Sequence, residues 1–175
     1  MGNREDLLAG ARECLFEKGY ARTTVRDIAT ASGVSMAAIG YHFGSKEALL
    51  TAALGEATRE WGTELEQALG DSAGAADRFA AQWDAVRRSI ATNRGLWAAT
   101  FDALSHAETR DRLAGDTRES RAGLARLFGD DDESAGAVGA LYQALLIGVA
   151  AQYLIDPGTA PTGAELAEGL RRIQR

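Results

Sequence analysis

The sequence predicts an all-α protein. It has only two prolines in 175 residues, it is rich in Ala and Leu, and no stretch alternates apolar and polar residues as a half-buried strand would. Two segments expected from the pattern are an N-terminal three-helix domain over residues 1–47, with a helix-turn-helix at about 24–43, and a larger helical domain over 48–175.

The first helix ends at Gly19-Tyr20 and carries Cys14, Leu15 and Phe16 on its apolar side. One cysteine cannot form an internal disulfide, and Cys14 in this setting is expected to be a small core residue. Thr24 is a good N-cap for the second helix, and Asp27 stands three residues on, where its carboxylate can reach back to the cap amide. Val25, Ile28 and Ala29 give that helix an apolar stripe. Gly33 can take the left-handed conformation that ends it, with Val34 plugging the corner. Ser35 is the next N-cap, and Ile39 faces the same core. Two helices joined through a Gly-containing turn form a helix-turn-helix, whose second helix suits a DNA major groove.

The chain resembles the TetR family of transcriptional regulators over residues 4–50. The resemblance rests on Thr23-Thr24-Val25-Arg26-Asp27-Ile28-Ala29, Gly33-Val34-Ser35, Tyr41-His42-Phe43 and Ser45-Lys46-Glu47-Ala48-Leu49-Leu50. It implies that Thr24, Tyr41, His42 and Lys46 hold phosphates, and that Ser35, Met36, Ala37, Ala38, Gly40 and Tyr41 line the recognition helix. Arg26 reaches either phosphate or base. Position 40, often aromatic in the family, is Gly40 here, and a glycine inside a helix costs roughly 1 kcal/mol relative to alanine. Met36, Ala37 and Ala38 offer methyl contacts rather than paired hydrogen bonds, which points to thymine methyls and DNA shape as the basis of specificity.

Charge is unevenly placed. Residues 1–50 carry six Lys/Arg and six Asp/Glu, so the whole net charge of −6 belongs to residues 51–175. DNA affinity must therefore come from local arrangement: Arg22, Arg26 and Lys46 around the helix-turn-helix, and helix N-termini at Thr24, Ser35 and Ser45 that present amides to phosphates.

Beyond residue 50 the pattern predicts helices over about 46–69, 75–91, 93–107 and 108–128, with a break at Asp71-Ser72-Ala73-Gly74. Trp61, Phe79, Trp83, Trp97, Phe101 and Leu104, with Tyr142 and Leu146 further on, read either as core or as the lining of a pocket for a mostly apolar small molecule. Asp130-Asp131-Asp132-Glu133 lacks the spaced ligands and glycine of a calcium loop and reads as the acidic start of the next helix. Residues 134–155 carry no formal charge over 22 positions, long enough to cross a bilayer. Gln143, Gln152 and the many small residues favour a helix buried against its own domain and a second subunit. Thr162 and Glu165 form a capping box for a last helix over about 163–174. By the resemblance, these two helices make the homodimer interface.

The expected function is a repressor released from a palindromic operator on double-stranded DNA by a small apolar effector. The alternative is a DNA-binding dimer with no small-molecule effector, controlled by a protein partner. An enzyme is not expected: there is no phosphate-binding glycine loop, no HExxH and no GxSxG, and His106 lacks a neighbouring nucleophile. No cofactor or metal is called for, and with no charged-then-apolar leader a cytoplasmic, non-membrane location is the expectation.

Overall fold

The computed structural model describes residues 2–70, 77–106, 110, 120–128 and 135–173, and among them every regular element is a helix. In order these are α1 (Asn3–Lys18), α2 (Val25–Ser32), α3 (Met36–Phe43), α4 (Lys46–Gly70), α5 (Arg78–Thr92) and α6 (Arg94–Ala103). A helical stretch at 120–127, here α7, precedes α8 (Ala135–Ile155) and α9 (Gly163–Ile173). They form two compact units, one of residues 1–61 and 95–114, the other of 62–94 and 115–175.

In the first unit, Leu7, Leu8, Ala11, Cys14 and Leu15 make the buried face of α1 at helical spacing. α1 packs against α2 and α3, and Ile28 of α2, Ile39 of α3 and Leu49 and Leu50 of α4 are buried with that face, all at most 7% exposed. The α1–α2 crossing is closer than apolar spacing alone would indicate. A Cβ on Gly10 would lie 2.7 Å from the Ser32 amide nitrogen and 2.8 Å from Ser32 Cβ. Gly33 ends α2 at φ 68°, in the left-handed region where glycine is favoured. Cys14 is buried as expected, and burial pushes its thiol pKa up.

In the second unit α5 packs against α8 and α9. Its start differs from the expected one: Asp77 accepts from the Ala80 amide at 3.0 Å, so the helix opens at Arg78 rather than Ala75. The next helix also stops early, at Ala103. The chain then tightens into three-residue turns, Ser105 N–H to Asp102 O at 3.1 Å and His106 N–H to Ala103 O at 3.0 Å. The expected break at 71–74, the acidic run 130–133 and Ser134 lie outside the described residues. At the start of α9 the Thr162–Glu165 capping box forms as expected, and the Gly163 amide donates to Asp84 Oδ1 at 2.8 Å.

α8 is long and apolar enough, by length and composition alone, to cross a membrane; 22% of its most apolar window is buried within the chain. Leu146, Val149 and Ala150 face inward, whereas Leu141 and Ile147 are 48% and 44% exposed.

Gly10→Ala is expected to lower stability by about 1–3 kcal/mol in urea titration, because the added methyl meets backbone rather than a yielding side chain.

Candidate nucleic-acid interface

The interface is built from the second helix upward. Asp27 Oδ2 accepts from the Thr24 amide at 2.9 Å and from the Thr24 hydroxyl at 2.7 Å, while Thr24 Oγ1 accepts from the Asp27 amide at 3.1 Å. The other carboxylate oxygen meets Lys18 Nζ, from the last turn of α1, at 2.6 Å. Lys18 first, then the Thr24 hydroxyl and amide, hold the Asp27 carboxyl far below the ordinary carboxylate range. Thr23, just before the cap, is 1% exposed and donates to the carbonyls of Cys14 and Gly19 at 3.2 and 2.7 Å. From the other side, Lys46 Nζ donates to the Thr23 carbonyl at 3.1 Å and lies 3.4 Å from Glu47. The start of α2 is thus clamped by both its neighbours.

On α3 the exposed positions are Met36, Ala37, Gly40 and Tyr41, at i, i+1, i+4 and i+5, which place them on one face. Tyr41 is 86% exposed and Met36 53%, while Ile39 on the inner side is 3% exposed. Ala38 and His42 are half-buried, and the His42 ring meets Tyr41 edge-on at 4.9 Å. Phe43 is the inner aromatic of this turn, with the Arg4 guanidinium 5.2 Å over its ring. Ser35 stands at the N-cap of α3, but its side chain makes no cap hydrogen bond, so its hydroxyl remains an exposed donor and acceptor. A Cβ on Gly40 would meet nothing within 4 Å. Thr24 and Arg26 are exposed on the α2 side. Ser45 caps α4 by accepting from the Ala48 amide at 3.0 Å.

Among the acids of residues 1–50, Asp27 is paired with Lys18 and Glu47 with Lys46, while Glu60, further along α4, pairs with Arg12. These pairings are not legible in the sequence, where six acids simply balance six bases.

The residues expected to line one pocket divide between the two units. Trp61 meets Trp97 edge-on at 5.1 Å, Trp97 lies 6.3 Å from Phe101, and Leu104 is 38% exposed, all in the first unit. In the second, Trp83 is surrounded by Phe79 at 6.1 Å, Phe128 at 5.4 Å and Tyr142 at 6.4 Å, with Leu146 buried on the same helix as Tyr142. Trp83 Nε1, and Gln82 Nε2 on the same helix, are buried without a hydrogen-bond partner among the described residues. A cavity of about 200 Å³ in this unit is lined by Glu64, Ala68, Ala85, Arg88, Ser89, Thr92 and Asn93, none of them an expected pocket residue. Phe128 is a cluster member that sequence reasoning missed; its place at the end of a charge-rich helix hid it.

The family model for bacterial regulatory proteins of the tetR family matches residues 7–53, from within α1 to the first turns of α4. The transcriptional repressor Rv1474c of Mycobacterium tuberculosis is 36% identical over 123 residues, 63% of this chain and 64% of the relative. The repressor AcnR of Corynebacterium glutamicum is 48% identical over 50 residues, 29% of this chain and 27% of the relative. Residues 7–53 are thus similar to the DNA-binding region of the TetR family. Among solved structures, the TetR-type fold extends along the chain: the multidrug binding protein EbrR, complexed with imidazole, superposes with a TM-score of 0.72 at 22% identity, covering 97% of this chain and 88% of that one. NalD of Pseudomonas aeruginosa, secondary repressor of the MexAB-OprM multidrug efflux pump, gives 0.59 at 20% identity over 97% and 94%. The chain spans 28%, 64% and 27% of the length of the first three curated relatives it matches. The TetR family is one of DNA-binding regulators and not of enzymes.

The depressed Asp27 pKa gives a signed pH dependence. Its contribution to stability is full above about pH 4, the ordinary carboxylate value, and is lost as pH falls below it. The urea midpoints of wild type and Asp27→Asn should therefore be furthest apart at about pH 6 and draw progressively closer as pH falls from about 4 toward 2. Thr24→Ala is expected to cost about 1 kcal/mol in the same assay, as loss of an N-cap.

Proposed function

We propose that this chain is a transcriptional repressor that binds operator DNA as a homodimer and is released by a small, mostly apolar effector. The observation that carries the DNA reading is the outer face of α3. Tyr41, Met36, Ala37 and Gly40 stand clear of the core on a helix whose other side is anchored by Ile39. Such a face can enter a major groove without disturbing the fold that presents it. Tyr41, His42, Thr24 and Lys46 take the phosphates, Ser35, Met36, Ala37, Ala38 and Gly40 the base edges, and Arg26 either. Thr24 and Lys46 also hold the start of α2, so they position the site as well as touch DNA.

The dimer reading rests on α8. An uncharged helix with Leu141 and Ile147 open on its surface leaves apolar area that a second copy would cover. With α9 it would form the interface, and twofold symmetry then calls for a roughly palindromic operator, its half-sites about one helical turn apart or a multiple of that. The effector reading rests on the aromatic cluster around Trp83, whose buried indole N–H lacks a partner among the described residues. The fold shared with a multidrug binding protein supports the same class of ligand. A cytoplasmic location follows from the DNA it binds.

Footprinting on DNA flanking the chain's own gene tests the reading. Tyr41→Ala and His42→Ala should each weaken the gel shift about tenfold, and unchanged affinity for both would sink the assignment. Ile147→Asp should convert the dimer to monomer in sedimentation analysis; a dimer that survives removes α8 from the interface.

A further inference from the structure

We propose that Asp102, at the far end of α6, is a positioning residue for DNA binding: its carboxylate holds the loop that carries the Thr24 cap. Asp102 Oδ2 accepts from the Ala21 amide at 3.0 Å, although 81 residues separate them in sequence. Ala21 stands three residues before Thr24, in the connection between α1 and α2. Both partners belong to the first compact unit, which gathers residues 95–114 with the head.

The contact is built on both sides. Gly19, next to the bonded segment, has φ 83°, and a Cβ there would sit 2.9 Å from Asp102 Oδ2. Glycine at this position serves two needs: the backbone turn and the room for the carboxylate. At the opposite end of α6, a Cβ on Gly95 would come within 3.1 Å of Phe16 Cβ, so that end of the helix also lies tight against α1. Beyond α6, the His106 ring lies 4.6 Å from that of Tyr20, in the same loop as Ala21.

Other hydrogen bonds on this loop come from the head itself, among them Thr23 to Cys14 and Gly19, and Lys46 to Thr23. Asp102 reaches it from outside the helix-turn-helix. It is half-buried and lines a cleft of about 520 Å³ with Lys18, Gly19, Ala21 and Arg22. A bond in an open cleft can break without opening a core, which distinguishes a positioning contact from structural cement. Loss of it frees the Ala21 amide and slackens the segment that sets where Thr24 and α2 begin.

Charge and position make opposite demands here, and that gives the test its sign. Asp102 is an acid on a unit meant to face phosphates, so by charge alone its removal should tighten DNA binding. The proposal requires the reverse for Asp102→Ala and not for Asp102→Asn, whose amide oxygen can still accept from Ala21. With the palindromic duplex footprinted beside the chain's own gene, Asp102→Ala should bind about tenfold more weakly than wild type. Asp102→Asn should bind as well as wild type or better. Hydrogen exchange at the Ala21 amide should speed up in Asp102→Ala alone. Wild-type affinity in Asp102→Ala, or equal weakening in Asp102→Asn, overturns the proposal. Should Asp102→Ala fail to fold, Asp102→Glu decides: it keeps the charge but displaces the acceptor by one methylene, and undiminished affinity overturns the idea. The inference rests on the DNA-docking reading. If that reading fails, Tyr41→Ala also leaves binding unchanged; if only this inference fails, the Tyr41→Ala loss remains while Asp102→Ala binds normally.

Discussion

The Asp27 carboxylate sits where α1 and α2 meet and is asked to satisfy three donors: the Lys18 ammonium, the Thr24 hydroxyl and the Thr24 amide. Each would be a modest contact alone. Together they fix the exit of one helix and the entry of the next with a single group, so the angle between α1 and α2 is set by charge as well as by packing. The later helices of the head inherit that angle. α2 turns at Gly33 into α3, α3 seats Ile39 inward and Tyr41 outward, and Lys46 closes the circuit by returning to Thr23. A recognition face is only as well placed as the helix that precedes it.

The same economy explains how a head with no net charge can approach a polyanion. Two of its acids, Asp27 and Glu47, each have a cation beside them from the same unit. Exposed ion pairs of this kind add little stability. Their effect is on the local field: repulsion is cancelled at short range, leaving the helix N-termini and the outward side chains to meet phosphates.

Features carried by neighbouring residues are legible in the sequence. The Thr24–Asp27 box, the Gly33 turn, the Thr162–Glu165 box and the in–out division of α3 depend on spacings of one to four residues, and all of them form. Ser35 occupies its expected cap position, yet its hydroxyl does not bond back, so spacing fixes the place of a cap but not its hydrogen bond. Approaches between residues far apart in the chain are not legible in this way. Gly10 looks like an ordinary weak helix residue until Ser32 is found against it, and Asp102 looks like a solvated acid until Ala21 is found beside it. The aromatic residues show the same limit. Periodicity puts Trp83 and Trp97 on the inner faces of their helices, but cannot tell that they belong to different units, or that Phe128 joins the first of them.

Gly40 is a cost in helix propensity, and it is also an opening. A Cβ there would meet nothing within 4 Å, and Met36, Ala37 and Tyr41 beside it are exposed. The outer face of α3, proposed to meet DNA, is therefore almost uncoupled from the residues that hold the helix in place. Substitutions on it can accumulate with little penalty in folding, and any non-glycine residue at position 40 other than proline regains some helix propensity. A scaffold arranged this way can change what it recognises one residue at a time while every intermediate still folds. Drift in binding preference is thus open to this chain at small structural expense.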